Sequence, residues 1–233
     1  MRYNYLNLLP LIGFFLFFWV FLNRNNINFI NTNSDLLDLL TSYAGYNSLM
    51  LHGTMYTLLF LLLLFSSIPN NLTQLMVRVT RKKFIKKIIK NVILQAFIFV
   101  GIFTSINLIL TLYFVDTSIL TNSGFFVGFI ISFVSTVFLY ILIGLLFSII
   151  YISLFSEVKS LILTFIISTI FVCGDLILGW NTPFQDTIVY DYLLNSGINL
   201  IKYLYIYFKN IVLIFCAYYL LITIFKEKDI INV

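Results

Sequence analysis

The sequence predicts an all-α membrane protein in which six helices cross the bilayer and both termini are cytoplasmic. Three observations lead to this prediction: an extreme apolar composition, six separate apolar segments, and basic residues concentrated between the second and third of them. Of 233 residues, 61% are hydrophobic and 10% are charged, whereas soluble domains have about 45–50% apolar and about 25% charged residues. A water-soluble fold with this composition would have too few charged residues to cover its apolar surface.

The six apolar segments are close in length to the roughly 20 residues that a helix needs to cross a bilayer. In chain order they are approximately residues 6–22, 49–68, 92–115, 125–155, 161–180 and 203–225. They lack the strict alternation of barrel strands, and helices are the other structure that satisfies backbone polar groups in hydrocarbon. We therefore expect residues 1–233 to form one six-helix transmembrane domain with no room for a separate soluble domain.

The distribution of charge predicts the orientation. With a cytoplasmic N-terminus, the inner segments carry eleven basic and three acidic residues, and the outer segments carry three basic and six acidic residues. Cytoplasmic loops are enriched in Lys and Arg, so this orientation is favoured over the inverted one. Because the positive charge lies beside the membrane, it indicates interfacial contacts and gives no reason to expect nucleic-acid binding.

The segment between the second and third spans carries two amphipathic patterns. Pro69 ends the second span, and Asn71 can cap a new helix. The apolar residues at helical spacing that follow are Leu72, Leu75, Met76 and Val79. The sequence then continues KKFIKKIIKN, with lysines and apolar residues on opposite sides. We expect two short helices at the inner surface, the first of which either only lies on the membrane or also docks a cytoplasmic protein.

A family resemblance extends this prediction. The six spans, the segment IPNNLTQLMVRVTRKKFIKK and the long connection between spans five and six resemble the transmembrane subunit of type-two ABC exporters, in particular the small bacteriocin and lantibiotic exporters. In that family the first inner loop carries a coupling helix that sits in a cleft of the ATPase subunit. The resemblance implies this role for the following residues: Leu72, Gln74, Leu75, Met76, Arg78 and Arg81.

The resemblance also implies partners and location. It implies two copies of a cytoplasmic ABC ATPase holding ATP and Mg, a second transmembrane subunit of either the same or a different sequence, and membrane lipids around them. Its substrates would be amphipathic peptides or lipid-like molecules, in export or self-protection, across a bacterial cell membrane. The ten glycines nowhere form the phosphate-binding pattern GxxxxGK[ST], so we expect neither a cofactor nor enzymatic activity in this chain.

The fourth span carries a stripe of small or polar residues at every fourth position. Its members are Gly124, Gly128, Ser132, Thr136, Tyr140 and Gly144. Small residues let helix backbones approach closely in lipid. The stripe therefore predicts a packing face within the chain, a contact with a second copy, or the lining of a translocation path.

The connection between spans five and six contains several aromatic residues, among them Trp180, Phe184 and Tyr190. Aromatic side chains of this kind are typical of the membrane interface. The connection also resembles the re-entrant or interfacial outer hairpin of type-two exporters, and a simple aromatic anchor without a gating role is an equally open interpretation. The lysines Lys202 and Lys209 stand seven positions apart beyond it, and we expect them to reach lipid headgroups or an anionic substrate.

A membrane-embedded enzyme, either an intramembrane protease or a lipid-modifying protein, is the alternative function. Asp175 follows a glycine and Asp191 follows Tyr190, which resembles, in reversed order, the paired motifs of intramembrane aspartyl proteases. The simpler explanation is that Asp175 lies at the outer interface. The single histidine His52 and the two cysteines are too few for a usual zinc site, so no metal is predicted and packing roles are expected.

Overall fold

The computed structural model describes residues 8–23, 45–67, 81–190 and 200–227, which contain helices and no strand. The six longer helices are α1 (Leu8–Asn23), α2 (Leu49–Ser67), α3 (Arg81–Phe114), α4 (Phe125–Leu154), α5 (Glu157–Leu178) and α6 (Leu200–Glu227). A π-helical turn, His52–Tyr56, lies inside α2. The short helix Thr117–Asn122 joins α3 to α4, and a 3₁₀ turn, Gln185–Thr187, lies between α5 and α6.

Five helices, α2 to α6, are long and apolar enough to cross a membrane. Helix α1 is apolar but has 16 residues, which gives a length of about 24 Å against a hydrocarbon core of about 30 Å. Within the described residues the structure thus supplies five candidate spans where the sequence predicted six. This arrangement is compatible with a multi-pass membrane protein.

Helix α3 differs from the prediction at its N-terminal end. The lysine-rich part was expected to form a short helix separate from a span beginning near residue 92, but one helix of 34 residues runs from Arg81 to Phe114. At 1.5 Å per residue it is about 51 Å long. The expectation was wrong on this point because no glycine or proline interrupts residues 81–100, so nothing ends the helix where the polarity changes.

Helix α4 is the central helix of the bundle and packs against α2, α3, α5 and α6. It ends at Phe155, whose φ of 49° is left-handed and whose N–H donates to the carbonyl oxygen of Tyr151 at 2.8 Å. Helices α3 and α4 approach closely at Gly144, where a Cβ atom would lie 2.6 Å from Cγ1 of Val92 in α3. A larger residue there would push α3 and α4 apart.

The core between α1, α2, α3 and α4 is aromatic. Phe15 of α1 is fully buried and makes edge contacts with Tyr56, Phe99 and Phe103, whose ring centroids lie 5.3–5.5 Å away. Trp19, also fully buried, donates its indole N–H to Oδ1 of Asn107 at 2.9 Å. These contacts attach α1 to the bundle, because edge-to-face aromatic pairs and a satisfied indole N–H both favour its buried position.

Candidate functional site

A cluster of buried and half-buried polar residues joins the end of α5, the connection that follows it and the first half of α6. We call it the connector cluster and define it as Asp175, Thr182, Asp186, Lys209 and Asn210. The chain enters it through Gly179, whose φ of 65° ends α5, and the N–H of the next residue, Trp180, donates to the carbonyl of Gly174 at 3.2 Å. Glycine adopts this left-handed conformation without a steric penalty, so the sequence turns the chain back toward the bundle here.

Asp175 holds the first part of the connection. Its side chain is 4% exposed, and its carboxylate accepts the backbone N–H of Thr182 at 3.0 Å as well as the hydroxyl of the same residue. The Thr182 hydroxyl oxygen in turn accepts the N–H of Phe184 at 3.3 Å. Asp175 therefore acts on the backbone seven residues further along the chain and fixes its path.

Asp186 holds the connection to α6. It is 3% exposed, and its two carboxylate oxygens lie 2.8 and 2.9 Å from Nζ of Lys209. The amide of Asn210 donates to Oδ2 of Asp186 at 2.9 Å. Burial raises the pKa of Asp186 above its ordinary value, while the bonds from Lys209 and Asn210 act in the opposite direction.

The connector cluster corrects one expectation and adds contacts that the sequence did not predict. Lys209 binds Asp186 of its own chain instead of reaching headgroups, and Asp175 is buried and hydrogen-bonded to Thr182. Phe184 and Tyr190 are buried, at 2% and 5% exposed, while Trp180 is 44% exposed. The connection thus packs into the bundle through Phe184 and Tyr190, while Trp180 stays exposed.

Sequence reasoning missed Asp186 and Asn210. The sequence did contain a signal for them. The connection carries acidic residues, and the first half of α6, which is otherwise apolar, carries a lysine and an asparagine. Charged side chains in apolar surroundings are usually paired. Both carboxylates of the connector cluster, Asp175 and Asp186, accept hydrogen bonds from donors of the chain itself. Asp191, the second residue of the protease resemblance, lies outside the described residues, and Lys202 is half-buried.

A second polar pair lies in the core. His52, in the π-helical turn of α2, is 1% exposed, and its Nδ1 lies 3.2 Å from the hydroxyl oxygen of the buried Tyr140 in α4. The imidazole also makes an edge contact with Phe103. His52 is thus a hydrogen-bonded residue of the aromatic core. Among the described residues, no three His, Cys, Asp or Glu side chains are grouped so that they could hold a metal ion.

The stripe on the fourth span lies on the inner side of α4 over most of its length. Its buried members are Gly128, Ser132, Thr136, Tyr140 and Gly144. Gly124 comes just before the helix, with a φ of 70°, and is half-buried. The buried members face other helices of the same chain, and at Gly144 the side chain of Val92 in α3 approaches closely.

The residues assigned to ATPase coupling lie mostly outside the described residues. Leu72, Gln74, Leu75, Met76 and Arg78 are in the segment 68–80, and Arg81 is the first residue of α3.

The same end of α3 contacts α6, where the rings of Phe84 and Phe225 stack with centroids 5.5 Å apart. The structure therefore joins the lysine-rich turns of α3 directly to the C-terminal end of α6.

The two cysteines were expected in packing positions. Both are instead exposed, Cys173 on α5 and Cys216 on α6.

Comparison with protein-family models, with curated proteins and with solved structures gives no significant match. The fold and the site define the class of the protein: a helical bundle whose long apolar helices are compatible with several membrane crossings. A more specific function has to be argued from the chain itself.

Proposed function

We propose that this chain is the transmembrane subunit of an ABC exporter in a bacterial cell membrane. In this proposal α1 is the first of six spans, both termini are cytoplasmic, and the segment 72–81 docks in a cleft of a separate ATPase subunit. Two such ATPase subunits hold ATP and Mg, and a second transmembrane subunit completes the pathway.

The observation that carries the proposal is the unbroken helix α3. Its first three turns carry the lysines next to the proposed docking segment. The same helix then buries Val92, Ala96 and Phe99 in the core. From Arg81 to Val100, α3 contains no glycine or proline, where sharp helix kinks usually occur, so a displacement at Arg81 would be transmitted to the contact between α3 and α4.

The contacts of α3 indicate which elements would move together. The stacked rings of Phe84 and Phe225 couple the inner end of α6 to that of α3. At the other end, the connector cluster ties α6 to the end of α5 through Asp186 and Lys209. Closure of the ATPase subunits would tilt α3 and α6 as a pair and open a path beside the second transmembrane subunit, which is an alternating-access cycle.

The proposed cargo follows from the scarcity of charge. Each candidate span contains an 18-residue window of high hydropathy with at most two charged residues, so a path between such helices favours amphipathic peptides or lipid-like molecules over ions. Hydrophobic bacteriocin-like peptides fit this description. Whether export or self-protection is served depends on which peptide is carried.

Co-purification tests the proposal. The chain, extracted from its native membrane in mild detergent, is expected to bring with it an ATPase containing a Walker motif in equal amount. Leu75→Asp and Arg78→Glu should each abolish this association. Lys159→Glu is the matched control, because Lys159 is an exposed lysine on a different inner segment. Retention of the ATPase by both variants, or transport by the chain alone, would refute the proposal.

A further inference from the structure

A groove between α3 and α6 lies at the end of the bundle that carries the lysines. Its volume is about 1170 Å³, above the 300–1,000 Å³ that is usual for a small-molecule pocket. Ile89, Ile93 and Phe97 of α3 form one wall, and Ile222 and Phe225 of α6 form the other. The groove is therefore lined along its length by apolar side chains.

The length of the groove matches the depth of one membrane leaflet. Ile85 and Phe97, at its two ends on α3, are twelve positions apart, which corresponds to about 18 Å along a helix. Half of the hydrocarbon core of a bilayer is about 15 Å. A molecule lying along the groove would thus reach from the headgroup region to the middle of the membrane.

The charges of the groove are all positive and lie at one end. Lys86 and Lys90 are one helical turn apart on α3, and Lys226 is near the end of α6. Of the described residues that line the groove, none is acidic. Basic pockets between membrane helices are suited to anionic headgroups, because the ammonium groups pair with the phosphate while the apolar walls contact the acyl chains.

We infer that this groove binds one anionic phospholipid from the leaflet next to the lysine-rich turns of α3. The phosphate lies against Lys86, Lys90 and Lys226, and the acyl chains lie between Ile93 and Ile222. A neutral zwitterionic lipid fits the apolar walls equally well but brings a cationic headgroup close to three lysines. The inference does not depend on the proposed export function, since it requires only the groove and its orientation in the bilayer.

Native mass spectrometry of the full-length protein tests the inference. The protein is equilibrated in nanodiscs with equal amounts of phosphatidylglycerol and phosphatidylcholine, released, and the retained lipid is counted. One retained phosphatidylglycerol per chain is expected. Because each lysine contributes about fivefold to the affinity for an anionic lipid, Lys86→Gln combined with Lys90→Gln should weaken its retention about twenty-five-fold.

The matched control removes the same charge elsewhere on the same helix. Lys83 and Lys87 are exposed on α3 but do not line the groove, so Lys83→Gln with Lys87→Gln should retain phosphatidylglycerol as the wild-type chain does. Ile93→Trp, which fills the groove, should lose the lipid while all lysines remain. If both double lysine variants lost phosphatidylglycerol equally, the lipid would be attracted to the basic turns in general and not to the groove. If the wild-type chain retained phosphatidylglycerol and phosphatidylcholine equally, the groove would not select the headgroup. Either result overturns the inference.

Discussion

The ion pair of Asp186 and Lys209 ties the connection after α5 to α6. Its carboxylate is 3% exposed and its ammonium group 19% exposed, so both charges have lost most of their water. Removing one partner of such a pair leaves the other buried without compensation, which is usually more costly than removing both. The pair therefore fixes the connection to α6, whatever its own net contribution to stability.

Lys209→Met is expected to lower stability by about 2–3 kcal/mol near pH 8, because it leaves the Asp186 carboxylate buried without a cation. Burial already raises the pKa of Asp186, and loss of Lys209 raises it further. A raised carboxyl pKa means that the folded state binds a proton more readily than the unfolded state, so the stability of the variant falls as the pH rises from the ordinary pKa of Asp through the raised one.

The measurement is thermal unfolding in detergent from pH 5 to pH 8. The deficit of Lys209→Met relative to wild type should be smaller at pH 5 than at pH 8. The double variant Asp186→Asn with Lys209→Met carries neither charge and should show no such pH dependence at this site. A deficit independent of pH would mean that Asp186 does not titrate as described.

Gly144 and Gly101 give a matched pair of substitutions for the packing of α3 against α4. A Cβ atom at Gly144 would lie 2.6 Å from Cγ1 of Val92, whereas one at Gly101 would meet nothing within 4 Å. Gly144→Ala should therefore destabilise the bundle by about 1–3 kcal/mol through overpacking. Gly101→Ala should be neutral or stabilise by about 0.5–1 kcal/mol, since alanine is the better helix residue. Equal unfolding temperatures for the two variants would contradict the close approach at Gly144.

Among the helices, α3 shows what the sequence could and could not predict. Apolar segments predict the positions of helices well, because hydrophobicity is a local property of the sequence. Helices α2 and α4, for example, end within one residue of the predicted segments. The join between the lysine-rich turns and the span was missed, because a change of polarity does not end a helix when no breaker is present.

The connector cluster could not be derived for a different reason. Asp186 meets Lys209 and Asn210 across 23 and 24 positions, and no periodic pattern reports contacts at that separation. The left-handed turn at Gly179 makes the contact of Asp186 with α6 possible, but a glycine in the sequence does not by itself predict the direction in which the chain turns. The candidate residues Asp175 and Lys209 were therefore found from sequence, but the bonds they make were not.

The stiffness of α3 is testable with two exposed lysines. Lys83→Gly combined with Lys87→Gly weakens the helix between the docking segment and the core, since each glycine costs about 1 kcal/mol relative to alanine. Under the proposed mechanism, transport into vesicles should fall several-fold while the ATPase still co-purifies. Lys83→Ala with Lys87→Ala removes the same charges without softening the helix and should transport much better than the glycine pair. Equal transport by the two pairs would argue against a mechanical role of α3.

At the level of the whole molecule, the helices are unequally covered. Within their apolar windows, 61% of α4 is buried inside the chain, against 28% of α5 and 17% of α6. Helix α4 is thus the centre of the bundle, while α5 and α6 present broad apolar faces such as those at Ile177 and Ile201. In a membrane protein these faces contact lipid or the second transmembrane subunit that the proposal requires.

The central claim is that residues 72–81 face the cytoplasm and contact an ATPase. Cross-linking in intact cells tests it most directly. Cys173 and Cys216 are first replaced by serine, and Leu75→Cys supplies a single thiol. The account predicts that this thiol forms a cross-link to a Walker-motif ATPase and that a membrane-impermeant thiol reagent added outside the cell leaves it unlabelled. Labelling from outside, or a functional complex without any ATPase cross-linked at position 75, would contradict it.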